Sequence, residues 1–218
     1  METYGPILAS GPHAGPRRAA DAAPAFSFVV PCYNEEPHLA GTVAEVAAAA
    51  AEAGLESYEI VMVDDGSTDG TRAVMERLAA ADARLRPAFN PRNLGFGGAY
   101  KAGVAAAGGT HVMMVPGDNA HPAGGIVPIL RCAGQADMVI PYVTNTGVRS
   151  FARRLASRAF VSLMNALFGL DVPYYNGLVV HRLDLLRGIE IETDSFAYQA
   201  EAIVKLLKRG AGFTTVGV

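Results

Sequence analysis

The stretch Ile60–Thr71 constrains the fold of this chain more than any other segment. Four apolar residues lead directly into the carboxylates Asp64 and Asp65, and a segment rich in glycine, hydroxyl and aspartate side chains follows. An apolar run of this length next to turn residues is typical of a strand that is buried on both faces. The carboxylate pair is therefore predicted to lie at the carboxyl end of a buried strand, where open α/β sheets bind ligands. The simpler alternative is a solvated turn in which one residue of 67–69 caps the next helix.

Short apolar runs alternate with helical patterns over the first two thirds of the chain. Strands are predicted at 25–31, 58–63, 85–89, 111–115 and 136–141, and helices at about 37–53, 71–81, 99–107 and 125–132. Asn34 is predicted to cap the first of these helices and Gly54 to end it. Such an alternation predicts an α/β fold with a mostly parallel sheet and helices on both faces.

The last third of the chain has a different character. A long helix is predicted at 149–170, followed by a short strand at 178–181, a helix at 196–209 and a final strand at 213–218. Four arginines lie in the first half of the long helix, at positions 149, 153, 154 and 158, beside a large apolar surface. Arg149 and Arg153 are four residues apart, as are Arg154 and Arg158, so the four side chains lie in two adjacent rows on the helix. This pattern suits a helix lying on anionic lipid or one binding a phosphate, although a core helix with a solvated basic face is an alternative.

Length, composition and charge limit the remaining possibilities. We expect a disordered tail rich in Gly, Pro and Ala at 1–24 and a single domain at 25–218, with a nucleotide-binding half at about 25–122 and an acceptor half at about 123–218. A formal net charge of -3 gives no reason to expect nucleic-acid binding. No run approaches the roughly 18 apolar residues of a membrane span, and the two cysteines lack disulfide or metal spacing. We therefore expect a cytoplasmic protein.

Carboxylates follow three of the predicted strands. Glu35 comes after the first strand, the pair Asp64 and Asp65 after the second, and Asp118 after the fourth. Because the carboxyl ends of parallel strands meet at one edge, these groups should converge on one crevice. Converging carboxylates need a cation or hydrogen-bond donors, since unpaired like charges repel. A divalent cation that arrives with phosphates meets this need, as do the ribose hydroxyls and base N–H groups of a nucleotide.

Four segments carry a family resemblance: Val29–Glu36, Val63–Thr71, Asn90-x-x-Asn93-x-Gly95-x-x-x-Ala99 and Gly117-Asp118-Asn119. Together they resemble the family 2 glycosyltransferases of the GT-A fold, a Rossmann-like nucleotide-diphospho-sugar transferase architecture. Within that family the chain is most similar to the branch of dolichol- or polyprenol-phosphate mannose synthases. The resemblance covers about 25–218 and implies an inverting hexosyl transfer from a GDP- or UDP-sugar to an acceptor, most favourably a polyprenyl phosphate.

The resemblance assigns residues to the donor nucleotide-sugar. These are Pro31, Tyr33, Glu35, Asp64, Asp65, Arg92, Asn93 and Gly117. Asp64 would accept a hydrogen bond from the base, with Asp65 close beside it, because a carboxylate binds a ring N–H strongly and directionally. Guanine and uracil both offer such an N–H, so both donors stay open. The glycines at 95, 97 and 98 would pack closely beside the donor sugar.

The resemblance also implies a metal site, with one departure from the family pattern. Asp118 matches the second carboxylate of an Asp-x-Asp motif that binds Mg²⁺ or Mn²⁺, but Pro116 stands at the first position. Asn119, His121, or the phosphates and water could complete the coordination, because Mg²⁺ often keeps several waters. Pro116 also motivates a second hypothesis, in which the chain is a catalytically degenerate GT-A module that binds nucleotide or a partner without transfer.

Two further residues are assigned to the acceptor side. Arg153 falls where this branch binds the acceptor phosphate, and Glu201 lies near the general base of relatives that glycosylate sugars. A phosphate acceptor is already ionised, so only a sugar acceptor requires that base. The helix at 149–170 would then rest on the inner face of a membrane as a peripheral contact. A nucleotidyltransferase, the third hypothesis, should carry a Gly-rich basic loop after the first strand, which Cys32–Glu35 does not resemble.

Overall fold

The structure is a computed structural model that describes residues 25–144 and 151–218, with side chains in the second range described from Arg154 onward. The predicted tail at 1–24 and the side chains of Arg149 and Arg153 lie outside the described residues.

The described ranges contain seven strands and seven helices. The strands are β1 (Phe26–Cys32), β2 (Tyr58–Asp64), β3 (Leu85–Phe89), β4 (His111–Met114), β5 (Met138–Tyr142), β6 (Val180–Arg182) and β7 (Phe213–Gly217). The helices are α1 (Leu39–Glu52), α2 (Thr71–Ala81), α3 (Phe96–Ala106), α4 (Ala123–Leu130), α5 (Phe151–Phe168), α6 (Leu183–Arg187) and α7 (Tyr198–Lys208).

All seven strands form one sheet in the order β3-β2-β1-β4-β6-β5-β7. Every neighbouring pair is parallel except the two that involve β6, which runs antiparallel to both β4 and β5. Each residue of β1 and β2 is buried, as expected for central strands with both faces covered. The predicted mostly parallel α/β sheet is therefore confirmed.

Helices cover both faces of the sheet because alternate residues of a strand point to opposite sides. Phe28 and Val30 of β1 pack into a core formed with α1, α2 and α4. Val29 of the same strand packs into a second core formed with α3, α6 and α7. Helix α3 lies unusually close to the sheet, since a Cβ atom at Gly103 would overlap the side chain of Val29.

Several element boundaries differ from the prediction. Helix α3 begins three residues early, at Phe96, and the short helix α6 had no periodic pattern to indicate it. Asn34 was expected to cap α1, and this is wrong, because His38 occupies the N-cap. Asn34 instead has φ +58° and its side-chain oxygen accepts a hydrogen bond from the Thr68 N–H at 2.8 Å. Gly54 ends α1 as predicted, with φ +75°.

Candidate active site

The loops that follow β1 and β2 are joined by hydrogen bonds. The Asn34 N–H donates to Ser67 Oγ at 3.0 Å, and the Glu35 N–H donates to Thr71 Oγ1 at 2.8 Å. The Asn34–Thr68 bond described above runs in the opposite direction. The polar residues of the second turn thus serve as partners for the first loop, which places Glu35 at a defined position beside the end of β2.

The adjacent carboxylates Asp64 and Asp65 have different tasks. Asp64 Oδ1 accepts a hydrogen bond from the Ser67 N–H at 2.9 Å, which closes the turn after β2. Asp65 accepts bonds from Asn90 Nδ2 at 2.7 Å and from the Leu94 N–H at 3.0 Å. Both side chains are buried. Asp64 therefore stabilises its own turn, whereas Asp65 holds the loop that follows β3.

A cleft of about 420 Å³ opens at the carboxyl ends of β1, β2 and β4. It is lined by Pro31, Cys32, Tyr33, Glu35, Asp65, Asn93, Gly95, Phe96, Ala99, Pro116, Gly117, Asp118 and Phe196. The carboxylates after three strands do converge here, as the topology predicts. Of the eight residues assigned to the donor, six line the cleft, whereas Asp64 and Arg92 do not. Arg92 is exposed, and its backbone lies against Gly66, where a Cβ would approach Arg92 C to 2.8 Å.

The metal-motif segment is fixed to the rest of the cleft by its backbone. The Gly117 N–H donates to the Pro31 carbonyl at 3.2 Å, and its carbonyl accepts from Thr42 Oγ1 at 2.9 Å. Asp118 is exposed in the cleft, with Oδ1 accepting from the Ala120 N–H at 3.1 Å. The side chain of Asn119 lies against Gly41 of α1, where a Cβ would approach Asn119 Nδ2 to 2.6 Å.

The donor atoms near Asp118 define what kind of cation could bind. Burial lowers the pKa of His121, and the nearby negative charge of Asp118 opposes that shift. Within 25–144 and 151–218, no group of three or more His, Cys, Asp and Glu side chains is arranged to hold a metal. The residues therefore fit a hard cation held by one carboxylate together with phosphates and water, and not a complete protein cage.

Cys32 is the one thiol in the cleft lining. Its burial, together with the negative charges of Glu35, Asp64 and Asp69, raises the pKa of the thiol well above its usual value. A protonated thiol is a poor nucleophile. Cys32 therefore fills space next to Gly117, where a Cβ would approach Cys32 Sγ to 2.7 Å. Both cysteines are free, and Cys132 is only partly buried.

Glu201 lies on α7 and does not line the cleft. Its carboxylate accepts hydrogen bonds from the N–H groups of Glu192 and Thr193 at 2.8 and 3.0 Å, and from Lys205 Nζ at 2.7 Å. Burial opposes the ionisation of Glu201, but these hydrogen bonds outweigh it and lower the pKa of the carboxyl group. The structure thus ties both carboxylate oxygens to the loop before α7.

Two cleft residues, Phe96 and Phe196, were not anticipated. The glycines after β3 carried the only sequence signal, because they indicate a close backbone approach. The structure shows what approaches: a Cβ at Gly95 would lie 2.9 Å from the Asp194 carbonyl oxygen, and one at Gly97 would lie 2.8 Å from Asp194 C. The partner of these glycines is therefore the chain segment that carries Phe196.

A second cleft, of about 360 Å³, lies between α5, the end of β5 and the loop before β6. It is lined by Tyr142, Val143, Arg154, Ser157, Arg158, Val161, Ser162, Pro173 and Tyr174. Asn165 of α5 holds the loop in place, because it donates to the Val172 carbonyl and accepts from the Tyr175 hydroxyl. Leu155, Leu163 and Leu167 are 57%, 57% and 66% exposed along the same helix. None of the described helices is both long and apolar enough to cross a bilayer.

Comparison with protein families and curated proteins identifies relatives of the chain. A model described as Glycosyl transferase family 2 matches residues 27–185. The chain is 29% identical over 150 residues to an undecaprenyl-phosphate 4-deoxy-4-formamido-L-arabinose transferase from Aeromonas hydrophila, and 33% identical over 150 residues to the protein of that name from Erwinia tasmaniensis. Each match covers 68% of this chain and 46% of the relative, so the chain spans about half the length of these proteins. A dolichyl-phosphate beta-glucosyltransferase from Trichomonas vaginalis is 37% identical over 98 residues, which cover 43% of this chain and 29% of that protein.

Solved structures share the architecture at low sequence identity. Glucosyl-3-phosphoglycerate synthase from Mycobacterium tuberculosis, in complex with Mn²⁺, UDP and phosphoglyceric acid, superposes with a TM-score of 0.65 at 19% identity, over 89% of this chain and 68% of that one. A mannosyltransferase from Pyrobaculum calidifontis, in complex with GDP-Man and Mn²⁺, gives a TM-score of 0.61 at 19% identity, over 90% and 55%. The predicted GT-A fold is confirmed.

Proposed function

Since the chain belongs to glycosyl transferase family 2, we propose that it transfers a sugar, with inversion, from a GDP- or UDP-sugar to a polyprenyl phosphate. One observation carries the donor half of the proposal. Glu35, Asp65 and Asp118 follow three different strands and line one cleft of about 420 Å³. This crevice, at the carboxyl edge of a parallel sheet, is where such folds bind nucleotides.

The nucleoside would occupy the end of the cleft next to β1 and β2. Tyr33 is 47% exposed and offers a ring face, while Glu35 and Asp65 offer acceptors for ribose hydroxyls and a base N–H. Asp65 is already oriented by Asn90 and Leu94, so little entropy is lost when a ligand binds it. We assign the base-recognition role to Asp65 ahead of Asp64, because only Asp65 lines the cleft.

The diphosphate would lie toward Asp118, where the donor atoms fit Mg²⁺ or Mn²⁺. When bound, such an ion would neutralise the charge that develops on the leaving diphosphate. Asp118 would hold the ion with one carboxylate, and Gly117 would bring the backbone close to the phosphates. Pro116 supplies no ligand at the position where the family pattern has a carboxylate.

The acceptor would approach from α5. Arg154 and Arg158 lie one helical turn apart and line the second cleft together with Ser157. Arginine binds phosphate through paired N–H groups, which makes this cavity suitable for a lipid phosphate. The leucines at 155, 163 and 167 form an exposed row next to the arginine row. A basic row beside an apolar row is typical of a helix that lies in the interface of an anionic membrane.

A phosphate acceptor needs no general base, because its oxygen is already ionised. The carboxylate of Glu201 is bound by two backbone N–H groups and an ammonium group, which leaves it poorly suited to accept a proton from a substrate. This arrangement supports the phosphate acceptor over a sugar hydroxyl. It also supports a role for Glu201 in positioning a loop.

Nucleotide binding tests the donor half. Isothermal titration with GDP, UDP and their sugar conjugates, with and without Mg²⁺ or Mn²⁺, should show metal-dependent binding of one nucleotide class. Asp118→Asn should reduce the metal-dependent part of the affinity about tenfold or more, because it removes a charged ligand. Asp171→Asn, which changes an exposed carboxylate outside the cleft, is the matched control. Absence of any nucleotide binding would overturn the proposal, and binding without transfer would favour the degenerate module that Pro116 suggested.

Membrane binding tests the acceptor half. More protein should co-sediment with anionic phosphatidylglycerol vesicles than with neutral phosphatidylcholine vesicles. Arg158→Gln should reduce the fraction bound to the anionic vesicles. Each basic residue near an anionic surface contributes about 1 kcal/mol, so a roughly fivefold loss is expected. Arg77→Gln on α2, an exposed arginine in a helix of the opposite face, is the control. Equal loss in both variants would contradict a specific role for α5.

A further inference from the structure

The loop between α6 and α7, residues 188–197, contributes Phe196 to the lining of the donor cleft and is called the rim loop here. It is held against α3 by several bonds. The Gly97 N–H donates to the Asp194 carbonyl at 2.8 Å, and Lys101 Nζ lies 2.6 Å from Asp194 Oδ1. Lys101 Nζ also donates to the Ile191 carbonyl at 3.1 Å. Residues 191 and 194 of the rim loop are therefore fixed to the first turns of α3.

A second set of bonds fixes the rim loop to α7. Glu201 accepts the Glu192 and Thr193 N–H groups, and Lys205 Nζ donates to the Glu190 carbonyl at 2.8 Å. The loop is thus tied to helices on both of its sides. These bonds hold the backbone that carries the side chain which the loop presents to the cleft.

That side chain is Phe196. Its ring stacks on Phe96, with centroids 4.6 Å apart and planes 28° apart, and both rings line the cleft. Phe96 contacts Tyr198, which contacts Tyr100, so a row of four rings runs from the buried core to the cleft. The two tyrosines are buried, whereas Phe196 is 73% exposed. A fixed aromatic surface therefore lies in the same cleft as the carboxylates of Asp65 and Asp118.

We propose that Phe196, supported by Phe96, is a specificity-determining residue that packs against the apolar face of the donor's sugar ring. A pyranose carries hydroxyl groups at its edge and C–H groups on its faces. The C–H groups suit the negative π face of an aromatic ring, while the hydroxyl groups suit the polar side of the cleft. Phe96 follows Gly95 at the end of the β3 loop and lines the same cleft as Asp118, so a donor whose diphosphate lay toward Asp118 would bring its sugar near this pair of rings.

Glu201 and Lys101 act on this contact as positioning residues, since they bind the loop and not the ligand. The inference rests on the proposed function, because it needs a nucleotide-sugar in this cleft. The contact between Phe196 and the sugar ring would make the protein bind a nucleotide-sugar more tightly than the bare nucleoside diphosphate. The affinity difference between these two ligands is therefore the quantity to measure.

The experiment compares Phe196→Ala with the unaltered protein by isothermal titration, using the nucleoside diphosphate and its sugar conjugate with Mn²⁺. We expect the affinity for the sugar conjugate to fall about three- to tenfold, with the affinity for the diphosphate unchanged. Phe196→Tyr should restore the affinity, because it retains the ring. Phe168→Ala, which removes a partly exposed phenylalanine on α5 outside the cleft, is the matched control.

The outcomes are distinct. If the unaltered protein binds no nucleotide, the proposed function fails before the variant is considered. If it binds and Phe196→Ala weakens diphosphate and sugar conjugate equally, the ring faces the nucleoside or only maintains the loop, and the inference is overturned. Unchanged affinities for both ligands would overturn it as well.

Discussion

Replacing Glu201 by Gln tests whether this carboxylate is a structural latch or a catalytic base. The carboxylate has two oxygens that accept three N–H groups, two from the rim-loop backbone and one from Lys205. Glutamine has one carbonyl oxygen, so its NH₂ group must face one of the backbone N–H groups. The variant keeps the size of the side chain and removes its charge and one acceptor.

The expected loss of stability follows from those bonds. Hydrogen bonds to charged groups contribute about 1.5–3 kcal/mol when buried. The Glu201 side chain is 18% exposed, and the loop N–H groups can regain water as a partner, so the low end applies. We expect the free energy of unfolding to fall by about 1–2 kcal/mol at neutral pH, which corresponds to a drop of roughly 2–8 °C in Tm for a domain of this size.

The pH dependence provides an independent check. Because the pKa of Glu201 is lowered in the folded state, its contribution is fully present above the ordinary value of 4.5 and is lost as the pH falls through the folded pKa. The difference between the two proteins should therefore shrink below about pH 4.5. Urea unfolding followed by circular dichroism at about pH 7 and about pH 3.5 measures it.

Glu190→Gln is the matched control, since Glu190 is an exposed glutamate in the same loop. An equal effect of both substitutions, or a difference that persists at low pH, would refute the latch. A general base would give another pattern, with turnover reduced by about 10²–10⁴ and stability unchanged. That result would restore Glu201 to the catalytic role that its sequence position suggests.

Three further predictions concern packing, the cleft and acid stability. Gly103→Ala should destabilise the protein by about 1–3 kcal/mol, because the added Cβ would overlap the side chain of Val29. Gly124→Ala on α4 is the control and should stabilise the protein slightly, because its Cβ would meet no atom within 4 Å. Thermal unfolding of the two variants measures the difference. Asp65→Asn should weaken nucleotide binding at least tenfold in titrations, since it removes the charged acceptor and loosens the 90–94 loop. Burial lowers the pKa of His181 to about 3, so the unfolded chain binds more protons below the ordinary value of 6.5. The free energy of unfolding should therefore decrease as the pH is lowered from 6.5 toward 3. His181→Gln should reduce this pH dependence when the free energy is measured by urea unfolding.

The sequence predicted those parts of the fold that depend on local patterns. The runs of apolar residues in β1 and β2 can only be buried on both faces, and the bounds of α2 and β3 agree with the prediction. The convergence of Glu35, Asp65 and Asp118 followed from strand order alone, because parallel strands bring their carboxyl ends to one edge. Asn34 failed as a cap because its partner, Thr68, belongs to a different loop, and no local pattern reports such a bond.

Local sequence therefore determined where the cleft lies, and tertiary structure decided what each residue does there. Asp64 and Asp65 are adjacent residues of the same type, so the sequence does not distinguish their roles. In the structure Asp64 closes its own turn and Asp65 faces the cleft, because successive residues at a strand end point in opposite directions. Phe96 and Phe196 meet because the rim loop packs on Gly95 and Gly97 at the start of α3, and this contact joins segments that are distant in the sequence. The sequence places Glu201 near the general base of relatives that glycosylate sugars, and only the tertiary structure shows that its carboxylate accepts hydrogen bonds from the rim loop, which is why we propose a positioning role for it.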